Sequence, residues 1–336
     1  MSKAFDFDNQ DMSAAFEQPA VENHLILELG VFGKDTSTTP KATVDYKLDD
    51  QSKLFATTER YGTDYNSTEV NRAKSFTLDI PHITATGRVT AKDFQGRRAF
   101  GSKDATEQMA GLVAAEAFRQ HKSYLRTKEK MLSDALFYNR VSDKHTGDVD
   151  FEQVFGFNQQ AHQIAAGAAD NPLETMSRAV KDIKQVSAGR QINRMVAVCG
   201  SEFFHAVKYN PTIMQMGYYK TAPVINIDGK EISPGYELFD LDGVTYIESN
   251  NPDYQVDSKG AFLLPVFKHD SRLGASPFMT IAGPASRDAM LADSSVIREF
   301  YAYSVQDKLH NVEVFSEASL LPIVYRPDFV SKLTLK

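Results

Sequence analysis

The sequence predicts an α+β fold in which extended segments and one very long helix surround a mixed α/β region. Three observations carry this. Residues 42–80 alternate between polar and apolar side chains, the period-two pattern of strands. Residues 104–141 hold no proline and one glycine, Gly111, and repeat apolar side chains at helical spacing. From Ile192 onward, a strand passes through Gly200-Ser201 into a short helix and then a strand-rich half, the alternation of a mixed α/β layer.

Each element has local reasons. Met1 to Asn23 are polar, with scattered Phe5, Phe7, Met12 and Phe16, too few to close a core alone; they read as an arm anchored elsewhere. In 42–80, Thr43 to Leu48 and Lys74 to Ile80 are strands flanking the turn-rich Tyr61 to Asn66. The hairpin they form is charged and short of large aliphatics. A two-stranded ribbon is marginal in water, so this one is expected to lie on another surface with little of its own to bury. The helix 104–141 starts with Asp104 and Glu107 in capping-box spacing. Phe118, Leu125 and Leu132 repeat by heptads, with Met109, Leu112, Leu136 and Phe137 nearby. At ~1.5 Å per residue it spans roughly 55 Å, the length of a structural spine.

Asn171-Pro172-Leu173-Glu174 opens a second helix with Asn at the cap. Leu173, Met176, Val180 and Ile183 are its buried stripe, and Gly189 is expected to end it. Ile192 to Cys199 is a strand and Glu202 to Tyr209 a short helix. Val224 to Ile232 forms a hairpin around Asp228-Gly229. Val244 to Ile247 after Asp242-Gly243, Ala261 to Phe267, Asn311 to Tyr325 and Phe329 to Leu335 are further strands.

Composition limits function. The chain of 336 residues carries 37 basic and 44 acidic side chains, a formal charge of -7, and lacks the basic surplus of direct nucleic-acid readers. One cysteine, Cys199, leaves no intramolecular disulfide framework and fits assembly in a reducing cytoplasm. Its apolar flanks read as a buried strand and an inert thiol. No signal-peptide core and no apolar run of the ~20 residues that span a bilayer is present.

Chemical motifs are missing. Gly30 to Asp35 has the wrong spacing for a phosphate loop and an Asp where the hydroxyl belongs. His82, His121, His145, His162 and His205 make no metal-ligand pair. Ser201 sits at a strand-to-helix junction outside a Gly-x-Ser-x-Gly elbow and reads as a helix cap. His269-Asp270-Ser271 are neighbours in sequence only, and Asp49-Asp50 read as solvated charges. Arg119, His121, Lys122, Arg126, Lys128 and Lys130, interspersed with Glu116 and Glu129, read as a solvated or intersubunit face. No catalytic, cofactor-binding or metal residue is assigned.

The order of elements resembles the Hong Kong 97-type capsid fold, and within it the lambda-like major head proteins of tailed bacteriophages. Three stretches carry the resemblance: Met195 to Phe204 followed by Val207-Lys208; Asp240 to Ile247 followed by Gly260 to Pro265; and Glu317 to Val324 followed by Arg326 to Val330. Together they cover much of the chain, each of moderate or weak specificity alone.

The resemblance implies an N-terminal arm at 1–41, an extended β-hairpin loop at 42–80, and a peripheral domain at 81–191 containing the spine helix. A mainly axial domain follows at 192–310, with the strands of 311–336 adding to the peripheral domain. It implies a major capsid protein of the virion, forming hexamers and pentamers of an icosahedral head around double-stranded DNA, with ribbon and arm reaching adjacent subunits. A portal and a decoration protein are the further partners it suggests. The lack of a long helical pattern before the ribbon points to a separate scaffold protein. A tail-tube or other ring-forming subunit is the structural alternative, and a hydrolase using Ser201 or Cys199 the enzymatic one.

Overall fold

The computed structural model describes residues 10–11, 24–47, 57, 73–94, 109–167, 170–187, 190–216, 236–249, 251–267, 276–292 and 296–336. In chain order the elements are β1 (Gln10–Asp11), α1 (Leu25–Leu29), β2 (Gly33–Thr36), β3 (Lys41–Lys47), β4 (Ala73–Asp79), β5 (His82–Val89), α2 (Ala91–Phe94) and α3 (Met109–Tyr138). They continue with β6 (Arg140–Val141), β7 (Val149–Asp150), α4 (Phe151–Phe155), β8 (Gln160–Ile164), α5 (Pro172–Val186), β9 (Ile192–Cys199), α6 (Ser201–Lys208) and α7 (Pro211–Met216). Last come β10 (Leu238–Leu241), β11 (Val244–Glu248), β12 (Gly260–Phe267), β13 (Phe278–Ala282), α8 (Ala289–Ala292), β14 (Tyr301–Gln306), β15 (Val312–Val324) and β16 (Ser331–Leu335).

Two sheets organise the chain. The first centres on β15, whose thirteen residues pair antiparallel with β14 and β5 along one half and with β13 along the other. β1 extends it beyond β14, and β2 joins β13 in parallel. The second has the order β10-β11-β9-β12-β16-β8. In its centre, β9 pairs parallel with β11 and antiparallel with β12. Asp242 and Gly243, at φ 51° and 76°, make the tight turn between β10 and β11 that two successive left-handed residues favour.

The sheets share one apolar core. Leu132, Leu136 and Phe137 of α3 pack with Val196 and Val198 of β9, Phe262 and Leu264 of β12, and Leu321 and Ile323 of β15. On the far face of the second sheet, Met176 and Ile183 of α5 and Phe203, Phe204 and Val207 of α6 close a second core with Met195, Ala197 and Leu263.

Several expectations change. The spine helix runs Met109–Tyr138, and residues 104–108, with the expected capping box, lie outside the described residues. Its end comes early because Asn139 turns into the left-handed region at φ 54°, a conformation asparagine tolerates better than most residues, and Arg140–Val141 become a strand. Its buried face is Val113, Ala117, Gln120, Tyr124, Leu132 and Leu136, whereas Phe118 and Leu125 are only half-buried. Small Ala117, set against Ala302 and Val314, lets helix and sheet approach closely, so the smaller side chains take the inner face. α5 begins at Asn171 as expected, the side chain accepting from Leu173 N–H at 3.1 Å. It stops at Val186 with Ser187 at its cap, and Gly189 lies outside the described residues, as do the hairpin expected at 224–232 and His269-Asp270-Ser271.

The ribbon starts as read: β3 pairs antiparallel with β4, from Lys41↔Asp79 to Lys47↔Ala73. Its root is better buried than composition suggested. Ala42, Val44, Leu78 and Ile80 enter the main core, while Lys41, Thr43, Ser75 and Thr77 face out. Asp49-Asp50 and most of 48–72 lie outside the described residues. The segment 24–36, read as arm, is folded into the body: Leu25, Ile26, Leu29 and Val31 are buried. Residues 160–164 and 331–335 stand in the second sheet, and 278–282 and 301–306 in the first.

Candidate functional site

Cys199, Ser201 and the histidines do not converge on a shared site among the described residues. Cys199 is fully buried and its S–H meets the Ala197 carbonyl at 3.5 Å; burial pushes its thiol far above the usual range, so little thiolate forms. Ser201 is exposed at the start of α6 but does not cap it. The cap is Gly200, without a side-chain hydrogen bond. A Cβ at Gly200 would lie 2.0 Å from the Asp257 carbonyl oxygen, so only glycine admits the 257–258 turn, whose Ser258 carbonyl takes the Phe203 N–H at 2.9 Å. His205 stacks on Tyr209, ring centroids 5.7 Å apart. Gly30 closes α1 at φ 62° and Gly33 opens β2, so this stretch is a helix stop followed by a strand. Among the described residues, no group of three His, Cys, Asp or Glu side chains stands close enough to hold a metal ion. No helix among them is long and apolar enough to cross a membrane.

The built features are polar joints between distant segments. Lys128 and Glu129, read from sequence as part of a solvated face, are 5% and 1% exposed. Lys128 pairs with Glu299, which Lys34 of β2 approaches at 3.6 Å. Burial alone would raise the Glu299 carboxyl, but Lys128 and then Lys34 hold it below its ordinary value. Glu129 accepts from Ile26 N–H at 2.6 Å, Leu27 N–H at 3.1 Å and the Tyr254 hydroxyl. Burial raises its carboxyl and these donors pull it partly back. The rest of the basic cluster is more exposed: Arg126 makes a forked pair with Asp253 at 2.5 and 3.0 Å, and Arg119 pairs with Glu116 one turn away at 2.8 Å.

A second joint lies where β5 meets β15. Glu317 accepts backbone N–H groups from Ser286 at 2.9 Å and Arg287 at 3.0 Å. His82 Nδ1 lies 2.9 Å from Ser319 Oγ, which also donates to the Pro284 carbonyl, and His82 Nε2 is 3.5 Å from Glu317. Burial lowers the His82 pKa, Glu317 working against it and Arg287 with it. A Ser-His-Glu grouping invites comparison with a triad. Here Ser319 is 5% exposed, and Glu317 holds loop amides, so the group clamps the 284–288 loop onto the sheet. His82 looks isolated in sequence because its partners stand over 230 positions away.

At the β14–β15 tip, Asp307 accepts from Leu309 N–H, Asn311 N–H, the Asn311 side-chain amide and Arg88. These bonds, the Asn311 amide first, bring its carboxyl to about 2. The outcome is a molecule whose polar side chains fix segments against one another and leave no catalytic constellation among the described residues.

Comparison with known proteins fits that outcome. The chain matches the model of the family phage major capsid protein E over residues 8–335. It is similar to the major capsid protein of Pseudomonas phage KPP10, 24% identical over 342 residues that cover 92% of this chain and 91% of that protein. Among solved structures, it resembles the putative capsid protein of a prophage of E. coli CFT073, with a TM-score of 0.59 at 10% identity over 98% of this chain and 99% of that one. The capsid of cyanophage P-SCSP1u superposes with a TM-score of 0.52 at 8% identity, over 95% and 91%. The shared architecture is the Hong Kong 97-type capsid fold, and the family's role is structural, not enzymatic. With its polar side chains spent on joints and its length matched almost end to end, the chain belongs to the phage major capsid protein E family.

Proposed function

We propose that copies of this chain form the hexamers and pentamers of an icosahedral head around double-stranded DNA, assembled in the host cytoplasm on a separate scaffold protein. A portal and a decoration protein are further partners. The ribbon root carries this reading: β3 and β4 are bolted to the core through Ala42, Val44, Leu78 and Ile80, while their other face presents Lys41, Thr43, Ser75 and Thr77 to solvent. A two-stranded ribbon gains stability when its free face meets another surface, and heterologous contacts around a rotation axis close into rings. In this reading the first sheet with α3 is the peripheral unit, the second sheet the axial one, and ribbon and arm reach neighbouring copies. The formal charge of -7 suits a wall next to packed DNA, since a strongly basic wall would bind phosphates and hold the genome.

Negative-stain microscopy of the expressed protein, with and without a co-expressed scaffold candidate, tests this. Closed shells built from rings of five and six subunits are the expected result. Monodisperse monomers under both conditions would overturn it.

A further inference from the structure

α1 has five residues, Leu25–Leu29, far fewer than a helix needs to persist alone in water. Its cap residue, His24, gives the first turn no side-chain hydrogen bond. The first-turn amides, which any helix leaves without internal partners, are met from more than 100 positions away. Leu25 N–H donates to the Tyr254 hydroxyl oxygen at 3.1 Å, and Ile26 and Leu27 N–H donate to the two oxygens of Glu129 at 2.6 and 3.1 Å. The Tyr254 O–H in turn donates to Glu129. Three successive amides are thus held by the buried Glu129 carboxylate and the buried Tyr254 phenol, with the Tyr236 hydroxyl bonded to Leu25 and Tyr254 beside them.

A buried carboxylate is a costly way to hold a helix that already buries Leu25, Ile26 and Leu29. Packing alone would tolerate sliding and rotation, because apolar contact is not directional. Hydrogen bonds to individual amides are directional, so this joint fixes register as well as adhesion. One position earlier on α3, Lys128 reaches Glu299 and through it Lys34 of β2. A single turn of the spine therefore positions the chain on both sides of Gly30.

We propose that Glu129 and Tyr254 form a socket that docks α1 on the spine helix and fixes the register in which the chain enters the body of the subunit. α1 is then a fastener that can be undone locally without unfolding the two sheets. This rests on the shell reading above, in which contacts between copies need the segment around Gly30 held in a defined register.

The test is hydrogen exchange and limited proteolysis on the unassembled full chain, comparing wild type with Glu129→Gln, Tyr254→Phe and the double variant. The glutamine keeps the shape but turns a donor toward the α1 amides; the phenylalanine removes one hydroxyl and is the milder change. Amides 25–29 are expected to exchange roughly tenfold faster or more in Glu129→Gln, the change expected for one lost buried hydrogen bond, and less so in Tyr254→Phe. The double variant should exchange no faster than Glu129→Gln, because both side chains serve one joint. A protease that cuts after leucine should gain sites at Leu25, Leu27 and Leu29, while β9 and β12 keep their protection. Unchanged protection at 25–29 would overturn the socket, as would a loss spread evenly through β9 and β12, which would make Glu129 an ordinary core group. Micrographs of the same proteins separate the two readings. Wild type that never forms shells strikes the assembly reading alone, whereas normal shells from variants with a released α1 show that the register set by the socket is not used in assembly.

Discussion

The two sheets are stabilised in different ways. In the second, every residue of β12 and the last five of β9 are buried, and large side chains such as Phe203, Phe204 and Tyr246 fill the space around them. In the first, β5 shows a single fully buried residue, Val89, and β14 runs from buried Tyr301 to exposed Gln306. Beneath it lies a small core of Val89, Val113, Ala117, Ala302, Val312 and Val314. One sheet is complete within a single chain. The other rests on the main core along β13 and the second half of β15, but its outer half, β5 and β14 beside the start of β15, is thinly covered and held by polar joints, the build expected of a surface finished by neighbouring copies.

Truncation tests that contrast most strongly. Phe204→Ala should remove about 3–5 kcal/mol of stability, the usual range for a buried phenylalanine, because its rigid surroundings cannot collapse into the cavity. Val314→Ala removes two carbon groups at ~0.8 kcal/mol each, so roughly 2 kcal/mol with the cavity included. Chemical denaturation of the unassembled chain measures both. Equal losses would mean that the first sheet is as tightly packed as the second.

The same substitution at two glycines sharpens the point. At Gly200 an added Cβ meets the Asp257 carbonyl at 2.0 Å; at Gly87 it meets the Glu116 carboxylate, also at 2.0 Å. Backbone cannot step aside, but the end of a glutamate can. Gly200→Ala should therefore destabilise by about 3 kcal/mol, at the upper end of overpacking costs. Gly87→Ala should cost about 1 kcal/mol, chiefly by displacing Glu116 from Arg119 and Gln120. A Gly87→Ala loss equal to that of Gly200→Ala would show that the first sheet is less yielding than its packing implies.

How much of each region was legible in sequence follows the same division. β9, α6, β12 and α5 show themselves through blocks of apolar residues and an Asn-Pro cap, signals confined to a few neighbouring positions. The joints of the first sheet leave no such trace. Lys128 and Glu129 sit in a run of charges that looks solvated, and only a fold that brings up Glu299, Ile26 and Tyr254 makes them interior groups. His82 needed Glu317 and Ser319 for the same reason. Leu132, Leu136 and Phe137 of the spine are buried as their spacing predicts, but nearer its start Phe118 and Leu125 carry more hydrophobicity than Ala117, which faces the sheet where close approach favours a small side chain.

The ion pair beneath the spine gives a pH signature for the jointed region. Lys128 and Lys34 hold the Glu299 carboxyl below its ordinary value against the effect of burial. A depressed folded-state pKa means that the stabilisation is present above the unfolded value, ~4.3 for glutamate, and is lost as pH falls through the folded value. Lys128→Met should weaken that acid-side loss, leaving Glu299 to Lys34 alone against burial and making stability below the unfolded glutamate value flatter with pH than in wild type. Denaturation midpoints across that range decide it; parallel curves would mean that Lys128 does not control Glu299.

The smallest effect is expected at the β14–β15 tip, where the comparison between sheets reaches the solvent. Asp307 lies near the surface, so its bonds contribute little to global stability, yet they order the turn. With its carboxyl at about 2, against ~3.9 for an unperturbed aspartate, the ordering is present above about pH 4 and is lost as pH falls through about 2. Asp307→Asn keeps one acceptor oxygen and replaces the other with an amide that faces the Asn311 side-chain NH2 and the Arg88 guanidinium. Exchange at Leu309 and Asn311 should quicken at neutral pH while the denaturation midpoint stays within error of wild type. A drop in the midpoint would instead make this hairpin part of the folding core, and the first sheet would owe less to its neighbours than its exposure suggests.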